Sequence, residues 1–269
     1  MDSKLNQLQS LLPAGLLVDG GWLSRHGYYS SLVAKYVRGG WLEQPTRGAY
    51  RRAGVAPGGG EDDWATVVVS LQRLAPPLYA VGGRTALELL GFTHYLAAGG
   101  PQELNLYGAR PPPVWARRLI GPRLAFHRAR LFEADPLLAT DPSPEALALH
   151  LRHPDQDGMA GLLQVSTAER AFLELLDAVP QAASFHEADA LVEGLTTLSP
   201  LRLSALLAAC RSVKVKRLAL WFADRHDMAW AKRLDRGRID LGQGKRVLAP
   251  GGRLDRTYRI TVPRDLVSS

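Results

Sequence analysis

The stretch SSLVAKYVRGGWLEQPTRGAYRR, Ser30 to Arg52, decides how this chain is read. Leu32, Val33, Tyr36 and Val37 recur at the spacing of one helical face, which predicts a helix that Ser30 or Ser31 caps and that Gly39-Gly40 ends. Trp41 to Glu43 and Ala49 to Arg51 then read as two short strands, joined through the turn sequence Pro45-Thr46-Arg47-Gly48. On the opposite face of that helix Ser31, Ala34, Lys35 and Arg38 fall at i, i+3, i+4 and i+7. This face is small, polar and cationic.

Upstream, Leu5, Leu8, Leu11 and Leu12 have the spacing of one face of a first helix, stopped by Pro13. Asp19 is placed to cap a second short helix holding Trp22 and Leu23, which ends at Gly27. Helix, helix, turn, helix, hairpin is the order of a winged helix-turn-helix. A recognition helix in a major groove needs short residues for close approach, with hydroxyls and long cations for bases and phosphates. Ser30, Ser31, Lys35 and Arg38 are therefore expected in the groove, and Arg47, Arg51 and Arg52 of the hairpin against the backbone or the minor groove. Any solvated helix face also carries Lys and Arg; what favours the groove is that the hairpin arginines lie on the same expected side.

The whole chain has 269 residues, 46% hydrophobic and 22% charged, enough for a substantial core. Its 33 Lys and Arg exceed its 26 Asp and Glu, for a formal charge of +7. That surplus is uneven. Residues 1 to 53 carry +4, residues 54 to 210 carry −6, and residues 211 to 269 carry +9. Two basic ends around an acidic middle suggest separate surfaces with separate partners. Cys210 is the only cysteine, which excludes an intrachain disulfide and a cysteine-rich zinc site. No apolar run approaches the ~18 residues that span a bilayer, and the start of the chain lacks the layout of a signal peptide. A cytoplasmic protein without membrane contact is expected.

Residues 54 to 63, GVAPGGGEDD, cannot pack into a helix or strand and read as a linker. The expected organisation is a DNA-binding module at 1 to 53 and a larger domain at 64 to 269, together an α+β protein with a mixed α/β C-terminal domain. In that domain Leu104 to Tyr107, Leu124 to His127, Arg130 to Phe132 and Leu163 to Val165 read as strands. Helices are predicted at 64 to 74, 84 to 90, 167 to 178, 184 to 194 and 200 to 210, with a basic amphipathic segment at 213 to 223.

Gly40-Trp41-Leu42-Glu43, Arg47-Gly48-Ala49-Tyr50 and then Val81-Gly82-Gly83-Arg84-Thr85-Ala86-Leu87-Glu88-Leu89-Leu90-Gly91, followed by an Asn-Leu-Tyr strand, resemble the AbiEi family of antitoxins. The resemblance covers the winged helix and about the next 70 residues; the rest agrees in length and general pattern. It implies a repressor that binds inverted repeats in its own promoter through the N-terminal domain. It also implies a C-terminal domain that opposes a cognate nucleotidyltransferase toxin without forming a stable complex with it, within a type IV toxin-antitoxin system of the abortive-infection kind.

Gly82, Gly83, Arg84 and Thr85 also resemble the turn with which nucleotidyltransferases hold a triphosphate, a candidate anion site at a helix start. That chemistry needs two metal-binding carboxylates spaced one apart on the next strand. Glu103 and Asn105 stand there instead, and no further acid follows before Glu133. A catalytically silent scaffold is expected, with no cofactor and no metal. His186 with Asp189, His226 with Asp227, and His150 with His153 lack the spacing of a metal or covalent site.

In the +9 tail Lys214, Lys216 and Arg217, then Lys232, Arg233, Arg236 and Arg238, then Lys245 and Arg246 come in groups. With Trp221 and Trp230 as interleaved stacking residues they form a candidate second nucleic-acid or partner surface; a plain solvated basic face stands beside that reading. Two other functions remain open from the residues alone, a DNA-binding enzyme with a nucleotidyltransferase-like domain and a ligand-sensing regulator.

Overall fold

A computed structural model describes residues 3–54, 64–74, 78–92 and 101–267. In chain order come α1 (Ser3–Leu11), β1 (Val18–Asp19), α2 (Gly20–Arg25), α3 (Ser30–Arg38), β2 (Leu42–Thr46), β3 (Ala49–Arg52), α4 (Trp64–Leu74), β4 (Tyr79–Val81), α5 (Gly83–Leu89), β5 (Leu104–Gly108), α6 (Val114–Ile120) and β6 (Leu124–Arg128). Then follow α7 (Pro144–His150), β7 (Leu151–Arg152), α8 (Gly158–Gly161), β8 (Val165–Ser166), α9 (Ala168–Ala178), α10 (Phe185–Glu193), α11 (Pro200–Ala209), α12 (Val213–Arg225), β9 (Arg253–Asp255) and β10 (Ile260–Val262). The chain is α+β, with an N-terminal domain and a larger C-terminal one.

It forms two compact units. The first gathers Met1–Ala80, Leu106–Arg128 and His153–Gln164, and the second Val81–Asn105, Ala129–Arg152 and Val165–Ser269. The first unit thus holds more than the module expected at 1 to 53. Apart from Gly54, the expected linker lies outside the described residues.

In the first unit Leu5, Leu8, Leu12, Trp22, Leu23, Tyr28, Leu32, Val33 and Tyr36 close one core with Val18 and Leu42. Leu11, expected on the same face as Leu8, is 40% exposed. The Asp19 carboxylate accepts from the Trp22 N–H at 2.7 Å and caps α2 as the sequence predicts. The cap of α3 differs: Tyr29 holds that position without a side-chain bond, and Ser30 is the first helical residue. With the cap moved outward, both serine hydroxyls are left on the exposed side. A three-stranded sheet in the order β1-β3-β2 completes the winged helix; β1, only two residues long, carries too short a pattern to be read from sequence. Helix α4 is buried almost all round and belongs to this unit: the Ser70 hydroxyl accepts from the Leu17 N–H at 2.9 Å.

A five-stranded sheet has the order β6-β5-β4-β8-β7. Strands β4 and β8 run parallel, with Val81 opposite Val165, and β7 is antiparallel to β8. The strand expected at Arg130 to Phe132 is a single bridge from Phe132 to Cys210, and the one expected at Leu163 to Val165 is Val165–Ser166. Helices α4, α5, α9, α10 and α11 lie within a few residues of their predicted bounds, and the segment read as basic and amphipathic at 213 to 223 is part of helix α12. Thr167 caps α9, and Ser184 with Glu187 forms a capping box on α10.

Helix α9 is the centre of the second unit, and it is not merely apolar. Arg170, 1% exposed, donates to both carboxylate oxygens of Asp135 at 2.9 Å and through Nε to Glu174 at 2.7 Å. It also donates to His150 Nδ1 at 2.9 Å, and its guanidinium lies 5.1 Å from the centre of the Phe132 ring. Because a guanidinium only donates, Nδ1 must be the unprotonated nitrogen of that imidazole. Burial, with the neighbouring Arg170 charge, pushes the His150 pKa down to about 4, so the ring is neutral at pH 7. Burial opposes the charge on Arg170, and the Glu174 and Asp135 carboxylates more than offset it, raising its pKa.

Replacing Arg170 by Met would leave Asp135 and Glu174 buried without their cation. The expected loss is about 3–5 kcal/mol, read as a lowered urea midpoint; a loss below about 1 kcal/mol would show that the network adds little to stability.

Candidate nucleic-acid interface

Helix α3 separates its faces as its sequence requires. Leu32, Val33 and Tyr36 are buried, while Ser30, Ser31, Ala34, Lys35 and Arg38 are exposed. Arg38 Nε reaches back to the Ala34 carbonyl at 3.4 Å, which steadies its stem and leaves the head outward. The turn from α2 into α3 passes through Gly27, at φ +84°, a left-handed conformation that glycine adopts without strain. Tyr28 then anchors the turn, donating its hydroxyl to the Lys4 carbonyl at 3.0 Å.

Strands β2 and β3 form the wing. Thr46 pairs with Ala49, so the turn is the two residues Arg47 and Gly48, tighter than the four expected from Pro45 to Gly48. Pro45 is absorbed in β2 beside a register shift between Glu43 and Thr46, where the missing N–H costs no ladder bond. Arg47 stands exposed at the tip.

The other two wing arginines are placed differently from the expectation. Arg51, its side chain 17% exposed, donates to Glu43 at 2.8 Å across the hairpin. That bond and the Gly54 N–H, at 3.2 Å, hold the Glu43 carboxyl below the usual carboxylate range. Arg52 is half-buried and donates to the Gln9 carbonyl at 3.2 Å, tying the wing to α1. Both cations are engaged in fixing the wing's shape.

Between α2, α3 and the wing lies a cleft of about 590 Å³, whose walls include Ser24, Tyr29, Ser30, Ala34, Arg38, Gln44 and Tyr50. Tyr29, 60% exposed, and Trp41, 50% exposed, stand beside the polar face. Sequence reasoning missed Tyr29, Ser24 and Gln44. Their one sequence signal is nearness to α3: Ser24 lies near the end of α2, Tyr29 just before α3 and Gln44 midway along β2.

The anion turn is occupied from within. Helix α5 begins at Gly83, whose N–H donates to the buried Glu174 carboxylate at 2.9 Å. Ser166 donates to the same oxygen at 2.9 Å. Arg84 pairs with Glu88 at 2.8 Å and Glu187 at 3.2 Å. Thr85 donates to the Glu103 carbonyl and accepts from the Asn105 N–H at 3.0 Å, so Asn105 fastens the strand to the helix. The Gly83 N–H thus already holds a carboxylate of the protein itself.

The candidate surface in the tail is dispersed by the fold. Lys214 donates to the carbonyls of Asp177 and Val179, Lys216 is 7% exposed, and Arg217 is 1% exposed with its guanidinium on the carbonyls of Leu241 and Gly244. Trp221 and Trp230 are core residues, 6% and 3% exposed, and cannot stack on bases. Lys232 pairs with Asp227, Arg236 pairs with Asp224, and Arg233 is exposed. The amphipathic signal in 213 to 223 reports a helix buried on most sides. His186 and Asp189 are separated by their partners, Asp265 at 2.6 Å and the Arg225–His226 pair. Among the described residues no group of three His, Cys, Asp or Glu side chains could hold a metal, and no helix is long and apolar enough to cross a membrane.

A helix with a cationic exposed face beside a short hairpin is the arrangement of a winged helix-turn-helix. Two family models match nearly the whole chain: the N-terminal domain of the transcriptional regulator AbiEi antitoxin over residues 1–98, and the transcriptional regulator AbiEi antitoxin of the type IV TA system over residues 102–263. The chain belongs to the AbiEi family of transcriptional regulators and antitoxins. Its fold is similar to the crystal structure of the RV2827C protein from Mycobacterium tuberculosis, at 16% identity with a TM-score of 0.57, over 96% of this chain and 89% of that one. No curated protein matches the sequence.

With Glu174 in the glycine turn, a nucleoside triphosphate with magnesium is expected to leave the thermal midpoint unchanged and to donate no label to protein or RNA. A ligand-dependent rise in midpoint, or label transfer that depends on Glu103, would contradict that reading.

Proposed function

We propose that this protein represses its own operon by seating α3 in the major groove of inverted repeats in its promoter, and that its second unit is a non-catalytic antitoxin domain. One observation carries the DNA half: Ser31, Ala34, Lys35 and Arg38 form an exposed face opposite the buried Leu32, Val33 and Tyr36. A hydroxyl, a methyl and two cations offer close approach to base edges and contact to phosphates. Ser30 at the helix start and Arg47 at the wing tip extend that surface. Arg51 and Arg52 contribute by holding the wing, through Glu43 and Gln9.

The antitoxin half rests on the family. Its members are described as antitoxins of a type IV system, and we infer that this domain opposes a nucleotidyltransferase toxin without a stable complex between them. The carboxylate filling the glycine turn supports a domain that shares a scaffold with such enzymes and does not perform their reaction.

Replacing Lys35 and Arg38 together by Ala should abolish specific binding to the promoter in a gel shift while leaving the melting transition in place. The slope of log K against log salt should flatten by roughly 0.9 for each phosphate that is no longer neutralised. Undiminished, sequence-specific binding by this variant would sink the assignment.

A further inference from the structure

The surplus charge of the second unit is concentrated further along the chain than the basic groups of 214 to 238. Residues 244 to 264 hold six basic residues, Lys245, Arg246, Arg253, Arg256, Arg259 and Arg264, against a single acid, Asp255. All six basic residues are exposed. The segment is built on the β9–β10 hairpin, in which Leu254 pairs with Thr261 and Arg253 with Val262. Its base is fixed by an interior cation: Arg217 donates to the carbonyls of Leu241 and Gly244 and to that of Arg259 at 3.3 Å. Arg246 joins the same point, its backbone N–H donating to the Arg259 carbonyl at 2.8 Å.

Arg217, Arg246 and Arg259 therefore crowd together. The charges of Arg246 and Arg259 add to burial in lowering the Arg217 pKa, the mark of like charges packed without neutralisation. Among the described residues, Lys245, Arg246, Arg253, Arg256 and Arg259 have no carboxylate at ion-pair distance. Asp255 is turned inward to cap the hairpin turn, accepting from the Tyr258 N–H at 2.8 Å. By contrast, Lys232 and Arg236 just upstream each have an acid of their own. Exposed guanidiniums carried on a hydrogen-bonded hairpin with no carboxylate at ion-pair distance are suited to an external polyanion.

We propose that the 245–264 hairpin is a second phosphate-binding surface for duplex DNA, adding sequence-independent affinity to the recognition by α3. The proposal rests on the reading of the protein as a DNA-binding repressor, and its test separates the two. Two features favour a duplex over other polyanions. The one aromatic of the hairpin, Tyr258, is 4% exposed with its hydroxyl committed to Asp224, so no stacking platform for single-stranded bases is offered. Among large apolar side chains only Val247 and Leu254 are exposed there, too few to form the buried centre of a protein interface. What remains is a set of exposed cations suited to contact phosphate without reading bases.

The test uses the full chain and an arbitrary duplex of about 30 base pairs lacking the promoter repeats, titrated across a range of salt. Replacing Arg253, Arg256 and Arg259 together by Ala should lower affinity at least ~tenfold at low salt and flatten the log–log salt slope by about 2–3, at roughly 0.9 per phosphate. The corresponding triple Lys variant should keep the wild-type slope, since charge rather than fork geometry is at work. The Lys35→Ala, Arg38→Ala protein should lose preference for the promoter and still show the hairpin-dependent slope on the arbitrary duplex. If that protein keeps its promoter preference, the groove assignment fails while the hairpin result stands. A wild-type slope and affinity in a folded triple Ala variant overturns the proposal, whatever that variant does to RNA or to the toxin.

Discussion

Arg170 sets the terms on which the second unit is built. Its guanidinium is removed from water, so every one of its donors must meet an acceptor inside the protein, and the chain supplies them from segments far apart in sequence. Asp135 comes from the loop after β6, His150 from the end of α7, and Glu174 from the next turn of α9 itself. Glu174 passes the constraint on: its second oxygen takes the Gly83 N–H and the Ser166 hydroxyl, which fixes the start of α5 and the end of β8. Five segments are thus aligned by one buried cation. An apolar residue at 170 would pack against Phe132 and satisfy none of them.

The same arrangement places one of the protein's own carboxylates at the glycine turn. A helix start with free N–H groups attracts an anion, and here the nearest anion is a side chain of the protein. Glu174 is held by Arg170 and Ser166, so a phosphate would have to displace a carboxylate that is itself part of the core.

Local pattern made the first unit legible. The helical spacing of Leu32, Val33 and Tyr36, the Asp19 cap and the Arg47-Gly48 turn are short-range signals, and each leads to the observed element. What pattern could not show was commitment. Arg51 looked like a free wing cation because Glu43, eight residues away, is its partner only once the hairpin has paired. The second unit was harder for the same reason at longer range. Arg170 and Glu174 are spaced like any exposed helix pair, and nothing near them in sequence announces Asp135, 35 residues upstream. Lys214, Lys216 and Arg217 read as surface charge, whereas the helix that carries them is buried, and Trp221 and Trp230 follow it inward. Two-residue strands such as β1 and β7 carry no pattern at all.

Net charge alone pointed toward a polyanion and said nothing of where it would bind. Two groups of exposed cations bear on that question, one on α3 with the wing tip and one on the β9–β10 hairpin. The proposed promoter recognition depends on the first. Hydrogen exchange of the full chain, measured with and without a promoter duplex, tests it: slowed exchange is predicted over Tyr28 to Arg38 and around Arg47, greater with promoter than with arbitrary DNA. Unchanged exchange across residues 28 to 50 in a saturated promoter complex would contradict it.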